Sequence, residues 1–191
     1  MSLKSGYGKS TALNTSIENS LNEQFLNKIV QILELVLQAN ESISQEDQEN
    51  ISSIESFSSN NIPSISLKDY LFRIQQYTEA EESTFIIALI YIDRLHNFGI
   101  VLNRYNIHRM FFVATLLAIK YNEDNHFDID YYSAIAGIST KELKFLEIEF
   151  TNLIKFQLFV NEEDYLKYKS SLDEIDLDDI DEDEDEEDIK K

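Results

Sequence analysis

The chain has 191 residues, of which 43% are hydrophobic, and it contains one proline, four glycines and no cysteine. This length suits one domain with tails, and the missing thiols exclude disulfides, a cysteine nucleophile and a zinc–thiolate site. The formal net charge is −20, and 13 acidic residues lie between positions 173 and 188, so we expect residues 171–191 to form a disordered acidic tail. Because residues 1–172 are acidic as well, they disfavour binding to nucleic acid.

The N-terminal third of the chain is predicted to contain one helix. Residues 1–20 are polar, so we expect a flexible N-terminus, and they lack the apolar core of a signal peptide. From Leu21 to Ala39, apolar residues recur at intervals of three and four, which predicts a helix, and residues 40–61 have the composition of a polar linker that rarely contributes to a core. No apolar run reaches the ~20 residues that cross a bilayer. We therefore expect an intracellular protein of the cytoplasm or nucleus with no membrane contact.

A compact region is predicted at residues 62–170, and it begins with three helices. Ser66 and Asp69 form a capping-box pattern that opens the first helix. Ser83 and Asn106 are candidate caps for the second and third helices. The second and third helices carry runs that are apolar on every side, and a helix of that kind is buried all round. Other helices must pack around them, which predicts an all-α fold.

Two further helices, and a possible closing helix, complete the compact region. A short fourth helix is predicted over residues 129–136, with Gly137 at its exit. Ser139 and Glu142 form a second capping-box pattern, which opens a fifth helix that runs to about residue 156. Residues 157–170 can pack back on the others as a short closing helix.

Four segments, in this order and spacing, resemble the cyclin box. They are PSISLKDYLFRI at 63–74, ALIYIDRL at 88–95, LLAIKYNED at 116–124 and LEIEF at 146–150. The resemblance covers roughly residues 62–168 and is to the phosphate-signalling P/U-type cyclins. It implies a five-helix cyclin box, here with an extra N-terminal helix. It also implies a regulatory subunit that binds and activates a cyclin-dependent kinase by stabilising the active position of its C-helix.

The resemblance further implies a kinase-binding site on the third and fifth helices. In cyclins, a lysine and a glutamate at the positions of Lys120 and Glu147 hydrogen-bond the kinase backbone near its C-helix. The same comparison places four other residues around the apolar groove between them: Leu117, Tyr121, Phe156 and Leu158. Glu147 lies along an apolar stripe, so its carboxylate needs a partner or an edge. The residue pattern by itself also allows an internal salt bridge or two solvated helix ends.

The remaining charged residues are expected to have structural roles. In cyclins an acid at the end of the second helix pairs with an arginine of the first, which here implies a salt bridge between Arg73 and Asp93. The histidines show no metal-ligand spacing, and no nucleophile–base pair is visible. We therefore expect no enzyme activity, no metal, no cofactor and no small-molecule substrate.

Two other functions remain open for a helical protein of this size. One is a nucleic-acid binder similar to transcription factor IIB, which the acidic charge disfavours. The other is a kinase-independent helical scaffold whose acidic tail holds a basic partner.

Overall fold

The computed structural model describes residues 7–41 and 55–176, with side chains from residue 22 onward in the first range. In these ranges the chain forms helices and no strand, which confirms the all-α prediction. The helices are α1 (Tyr7–Glu41), α2 (Leu67–Thr78), α3 (Glu82–Asn97), α4 (Ile107–Asn122), α5 (Ile129–Ala136), α6 (Thr140–Leu153) and α7 (Glu162–Asp173), and a 3-10 turn spans Glu55–Phe57. Helices α2 to α6 correspond to the five predicted helices of the box, and α7 to the closing helix.

Helix α4 lies at the centre of the fold. It contacts α2, α3, α5 and α6, and every residue from Ile107 to Ile119 except Arg109 is buried. Helix α3 is buried without interruption from Thr84 to Ile92. Full burial of one large apolar side chain contributes about 1.5–3 kcal/mol, so these two helices supply much of the driving force for folding. The prediction that both are wrapped on all sides is confirmed.

Helices α1 and α7 pack on the outside of this bundle. Helix α1 contacts α2, α7 contacts α3, and the two also contact each other. Helix α1 buries a stripe of four side chains at helical spacing: Leu26, Ile29, Leu33 and Leu37. Its first described residue is Tyr7, so the helix starts well before the predicted Leu21.

Part of the predicted linker belongs to the core. Phe57 is fully buried, and its ring packs edge-on against that of Phe150, with 6.1 Å between centroids. The composition of the linker, which rarely contributes to a core, therefore did not predict the burial of this residue. Residues 1–6, 42–54 and 177–191, including most of the linker and of the predicted acidic tail, lie outside the described residues.

Local hydrogen bonds explain most of the helix boundaries. Ser66 Oγ accepts from Asp69 N at 3.0 Å, which caps α2, and donates to the Asp69 carboxylate at 2.7 Å. Ser139 Oγ accepts from Glu142 N at 3.1 Å and caps α6. Gly137 ends α5 with φ +73°, a left-handed conformation that glycine adopts without steric cost.

Two predicted caps are wrong, because neither Ser83 nor Asn106 makes a side-chain cap hydrogen bond to its helix. Helix α3 begins at Glu82, so Ser83 lies inside it. The Glu123 carboxylate, just beyond α4, accepts from the Thr84 hydroxyl and from Glu81 N, and so places a negative charge at the start of α3.

Asn106 occupies the N-cap position of α4, but its side chain makes no cap hydrogen bond there. Its Oδ1 accepts from Asn103 N at 2.9 Å, and its Nδ2 donates to the Val101 carbonyl at 3.0 Å. The buried amide therefore stabilises the loop that leads into α4.

Candidate functional site

Lys120 and Glu147 form an ion pair that joins α4 to α6. Lys120 lies in the last turn of α4, where a cation is favoured by the helix dipole. Its Nζ is 2.5 Å from Glu147 Oε1, and the two side chains are 29% and 20% exposed. The two predicted side chains thus meet at one point of the surface, in the internal salt bridge that the residue pattern allowed.

This ion pair retains hydrogen-bonding capacity for a partner. An ammonium group has three donors and a carboxylate about four acceptor sites. Among the described residues, the hydrogen bond and ion pair of each charged group are made with the other. A partner's main chain could therefore accept from Lys120 and donate to Glu147 while the pair remains intact.

Exposed apolar side chains lie on both helices that carry the pair. On α4, Tyr121 is 51% exposed, whereas Leu117 is buried and so belongs to the core beneath this face. On α6, Phe145 and Ile148 are 51% and 62% exposed, three residues apart and so on neighbouring positions of the helix surface. These two residues are not among the predicted kinase-binding residues, although both are apolar residues that lie off the buried stripe of α6.

The segment 155–160 follows α6 and carries the two other predicted residues. Helix α6 ends at Leu153, before the predicted residue 156, because Lys155 and Phe156 have left-handed φ values of +53° and +59°. Phe156 N donates to the Thr151 carbonyl at 2.9 Å and closes the helix end. Phe156 is 71% exposed, and Leu158 is half-buried against the core.

Tyr91 of α3 connects this segment to the end of α4. Its buried hydroxyl donates to the Leu158 carbonyl at 2.7 Å. Burial raises the pKa of Tyr91 to about 12, against the opposing effects of a hydrogen bond with the Asn122 side chain and of the Arg94 charge, while Tyr121 adds to the rise. The neutral Tyr91 phenol therefore holds the main chain of the segment 155–160 at Leu158.

A family profile described as cyclin matches residues 20–158 of the chain. The chain belongs to the cyclin family. It is 35% identical over 114 residues to Cyclin-U2-1 of Arabidopsis thaliana (59% of this chain, 51% of that protein). It is 34% identical over 112 residues to Cyclin-U4-1 of the same plant (58% and 55%). It is also 36% identical over 115 residues to the PHO85 cyclin-like protein psl1 of Schizosaccharomyces pombe (59% and 47%).

These similarities confirm the resemblance to P/U-type cyclins. The cyclin spans about half the length of the curated relatives it matches. The matched range includes α2 to α6 and ends at Leu158, so it contains every residue predicted to bind a kinase.

The predicted structural salt bridge of this cyclin is wrong. Arg73 donates to the Ala134 carbonyl of α5 at 3.1 Å. Asp93 accepts from the Asn97 amide at 3.1 Å and from the hydroxyl of Tyr168, whose pKa is raised by burial and by this hydrogen bond. Both charged side chains are exposed. They do not pair with each other, because Arg73 faces α5, which packs on α2, and Asp93 faces α7, which packs on α3.

In the described part of the chain the candidate surface carries no metal cluster, and a cavity of the fold lies elsewhere. Within residues 22–41 and 55–176, no three histidine, aspartate or glutamate side chains are grouped so that they could hold a metal ion. A cavity of about 420 Å³ lies between α1, α3 and α7, and none of the six predicted kinase-binding residues lines it. The candidate surface thus consists of the ion pair and the exposed apolar side chains of the same two helices. No described helix is long and apolar enough to cross a membrane.

Proposed function

We propose that this cyclin is the regulatory subunit of a cyclin-dependent protein kinase, which it binds and activates. The observation that carries the proposal is the partly exposed Lys120–Glu147 pair, with apolar side chains exposed on the same two helices. Membership of the cyclin family and the similarity to a PHO85 cyclin-like protein support it. Phosphoryl transfer would be carried out by the kinase, and the cyclin contributes no catalytic group.

The proposed mechanism is a shift of the kinase population. Protein kinases need a lysine–glutamate ion pair, formed only when the C-helix is correctly positioned, and an ordered activation segment. A partner that binds only this state favours it by as much as its preference between the two states. Lys120 and Glu147 would hydrogen-bond the main chain near the C-helix, and the apolar side chains would pack against it. Main-chain contacts demand little of the kinase sequence.

The test is a binding titration with an internal control. Arg109 and Glu142 form a second ion pair between α4 and α6, with 2.9 Å between charged atoms and similar partial exposure. We expect Lys120→Ala and Glu147→Ala to weaken binding by about 2–5 kcal/mol, because each leaves a group unpaired in the interface. Glu142→Ala should change binding by no more than about 0.5 kcal/mol.

Calorimetric titration of the full chain into purified cyclin-dependent kinase catalytic subunits, one at a time, measures these differences. The thermal midpoints of the three variants should stay close to that of the wild type, because exposed ion pairs contribute only about 0–1 kcal/mol. Equal affinities for Glu147→Ala and Glu142→Ala would contradict the site assignment.

A further inference from the structure

Three consecutive carbonyls after α6 accept hydrogen bonds from side chains of α3. Tyr91 donates to the Leu158 carbonyl, and the Arg94 guanidinium donates to the carbonyls of Gln157 and, at 3.0 Å, Phe159. Arginine can do this because its planar fork holds several donors in fixed directions. Two adjacent turns of α3 thus hold the main chain of the segment 155–160.

The same segment has a backbone conformation that needs such support. Lys155 and Phe156 both have positive φ, which residues other than glycine rarely adopt. The Lys155 ammonium lies 4.3 Å from the centroid of the Phe98 ring, just beyond the end of α3. Residues in sparsely populated conformations persist only where the surrounding contacts determine them. Here α3 supplies those contacts.

The anchoring has a consequence for the two phenylalanines of the segment. With the carbonyls turned toward α3, Phe156 and Phe159 are 71% and 70% exposed, and no other large apolar side chain in the described residues exceeds these values. Rigid, exposed aromatic side chains are typical of residues that dominate binding energy at interfaces. Holding them in place before binding removes an entropic cost of association.

We propose that Tyr91 and Arg94 are positioning residues of the kinase-binding surface. They touch no partner, and they act by holding Phe156 and Phe159 in the conformation that packs against the kinase. The segment is continuous with the proposed surface, because it directly follows α6, which carries Glu147, and contains Phe156 and Leu158 of the predicted groove. This inference rests on the proposed function and adds Phe159 to its contact residues.

Two mild substitutions test the anchoring in the full chain. Tyr91→Phe removes only a hydroxyl, and Arg94→Lys keeps the charge but loses the fork that spans two carbonyls. Arg73→Lys is the matched control, because Arg73 of α2 is another arginine that donates to a main-chain carbonyl. We expect amide hydrogen exchange at residues 156–158 to accelerate about tenfold in the first two variants, with binding weakened about tenfold. The control should change neither.

A double-mutant cycle separates positioning from a general loss of structure. The effects of Arg94→Lys and Phe156→Ala on binding should be non-additive, because a Phe156 ring that has been removed cannot be mispositioned. The effects of Arg94→Lys and Lys120→Ala should be additive. Unchanged exchange in both variants, faster exchange with unchanged affinity, or equal coupling to both partners would overturn the inference. A wild-type chain that binds no kinase would contradict the proposed function instead, and hydrogen exchange would still measure the anchoring.

Discussion

His108 is a buried titratable residue in α4 whose surroundings favour the neutral imidazole. It is 9% exposed, its Nε2 lies 3.1 Å from the Ile65 carbonyl, and its ring is 5.1 Å from that of Tyr70. Its buried Nδ1 has no hydrogen-bond partner among the described residues. Burial lowers the pKa of His108, and the hydrogen bond to Ile65 and the charge of Glu34 oppose this only partly.

The lowered pKa of His108 predicts a loss of stability in mild acid. Below the unfolded value near 6.5, the unfolded chain binds the proton more readily than the folded chain. The contribution of neutral His108 to the free energy of unfolding should therefore be fully present above about pH 6.5. As the pH decreases below this value, the free energy of unfolding should decrease by at most about 1.4 kcal/mol per pH unit. Urea titrations at pH 7.5 and 5.5 on wild type and His108→Gln check this, since other titrating groups cancel in the difference. An equal loss in both proteins would contradict it.

At the residue scale, the sequence indicated which charged residues form the site better than it indicated which residues they contact. The resemblance to cyclins indicated Lys120 and Glu147, and the structure brings them together across 27 positions of the chain. The same resemblance paired Arg73 with Asp93 wrongly, because the partners of an exposed charge depend on which helices pack beside it. The contact of Glu123 with the start of α3 was not predicted, because the two are distant in sequence.

Among the helices, α1 is the element that extends the box. Its buried stripe faces α2 and α7, so we expect it to be part of the folding unit rather than an appendage. Helix α1 also provides a matched pair of leucines: Leu33 is 1% exposed and Leu35 is 55% exposed.

Leu33→Ala should lower the free energy of unfolding by about 2–5 kcal/mol, because it removes buried methyl groups and leaves a cavity. Leu35→Ala should change it by no more than about 0.5 kcal/mol. Both variants keep a good helix former, so urea denaturation compares packing alone. Equal and small effects would show that α1 does not pack on the box.

At the element scale, hydrophobic periodicity and capping patterns predicted all five helices of the box, and α5 at its observed bounds. The end of α6 could not be predicted in this way. Neither Lys155 nor Phe156 is a usual left-handed residue, and the apolar pattern continues through both. The residues that bind the carbonyls just after this turn, Tyr91 and Arg94, lie more than sixty positions earlier in the chain.

For the whole molecule, the acidic C-terminal residues separate the proposed function from the scaffold alternative. Helix α7 ends at Asp173, whose carbonyl accepts from Lys28 of α1 at 3.4 Å. A chain that ends at Asp176 keeps this contact and loses most of the acidic run. It should bind and activate the kinase within about twofold of wild type at physiological salt, where exposed charges are screened beyond about 8 Å. Loss of kinase binding on truncation would contradict this expectation and show that the acidic residues hold the kinase.

The activity of the kinase tests the central claim most directly. The measurement is the rate of phosphate transfer by a purified cyclin-dependent kinase as the full-length chain is added. We expect the rate to rise to a plateau, and Lys120→Ala and Glu147→Ala to need roughly 30-fold or more higher concentration for half of that rise. A kinase that binds the chain and stays inactive, or variants that activate at the wild-type concentration, would contradict the account.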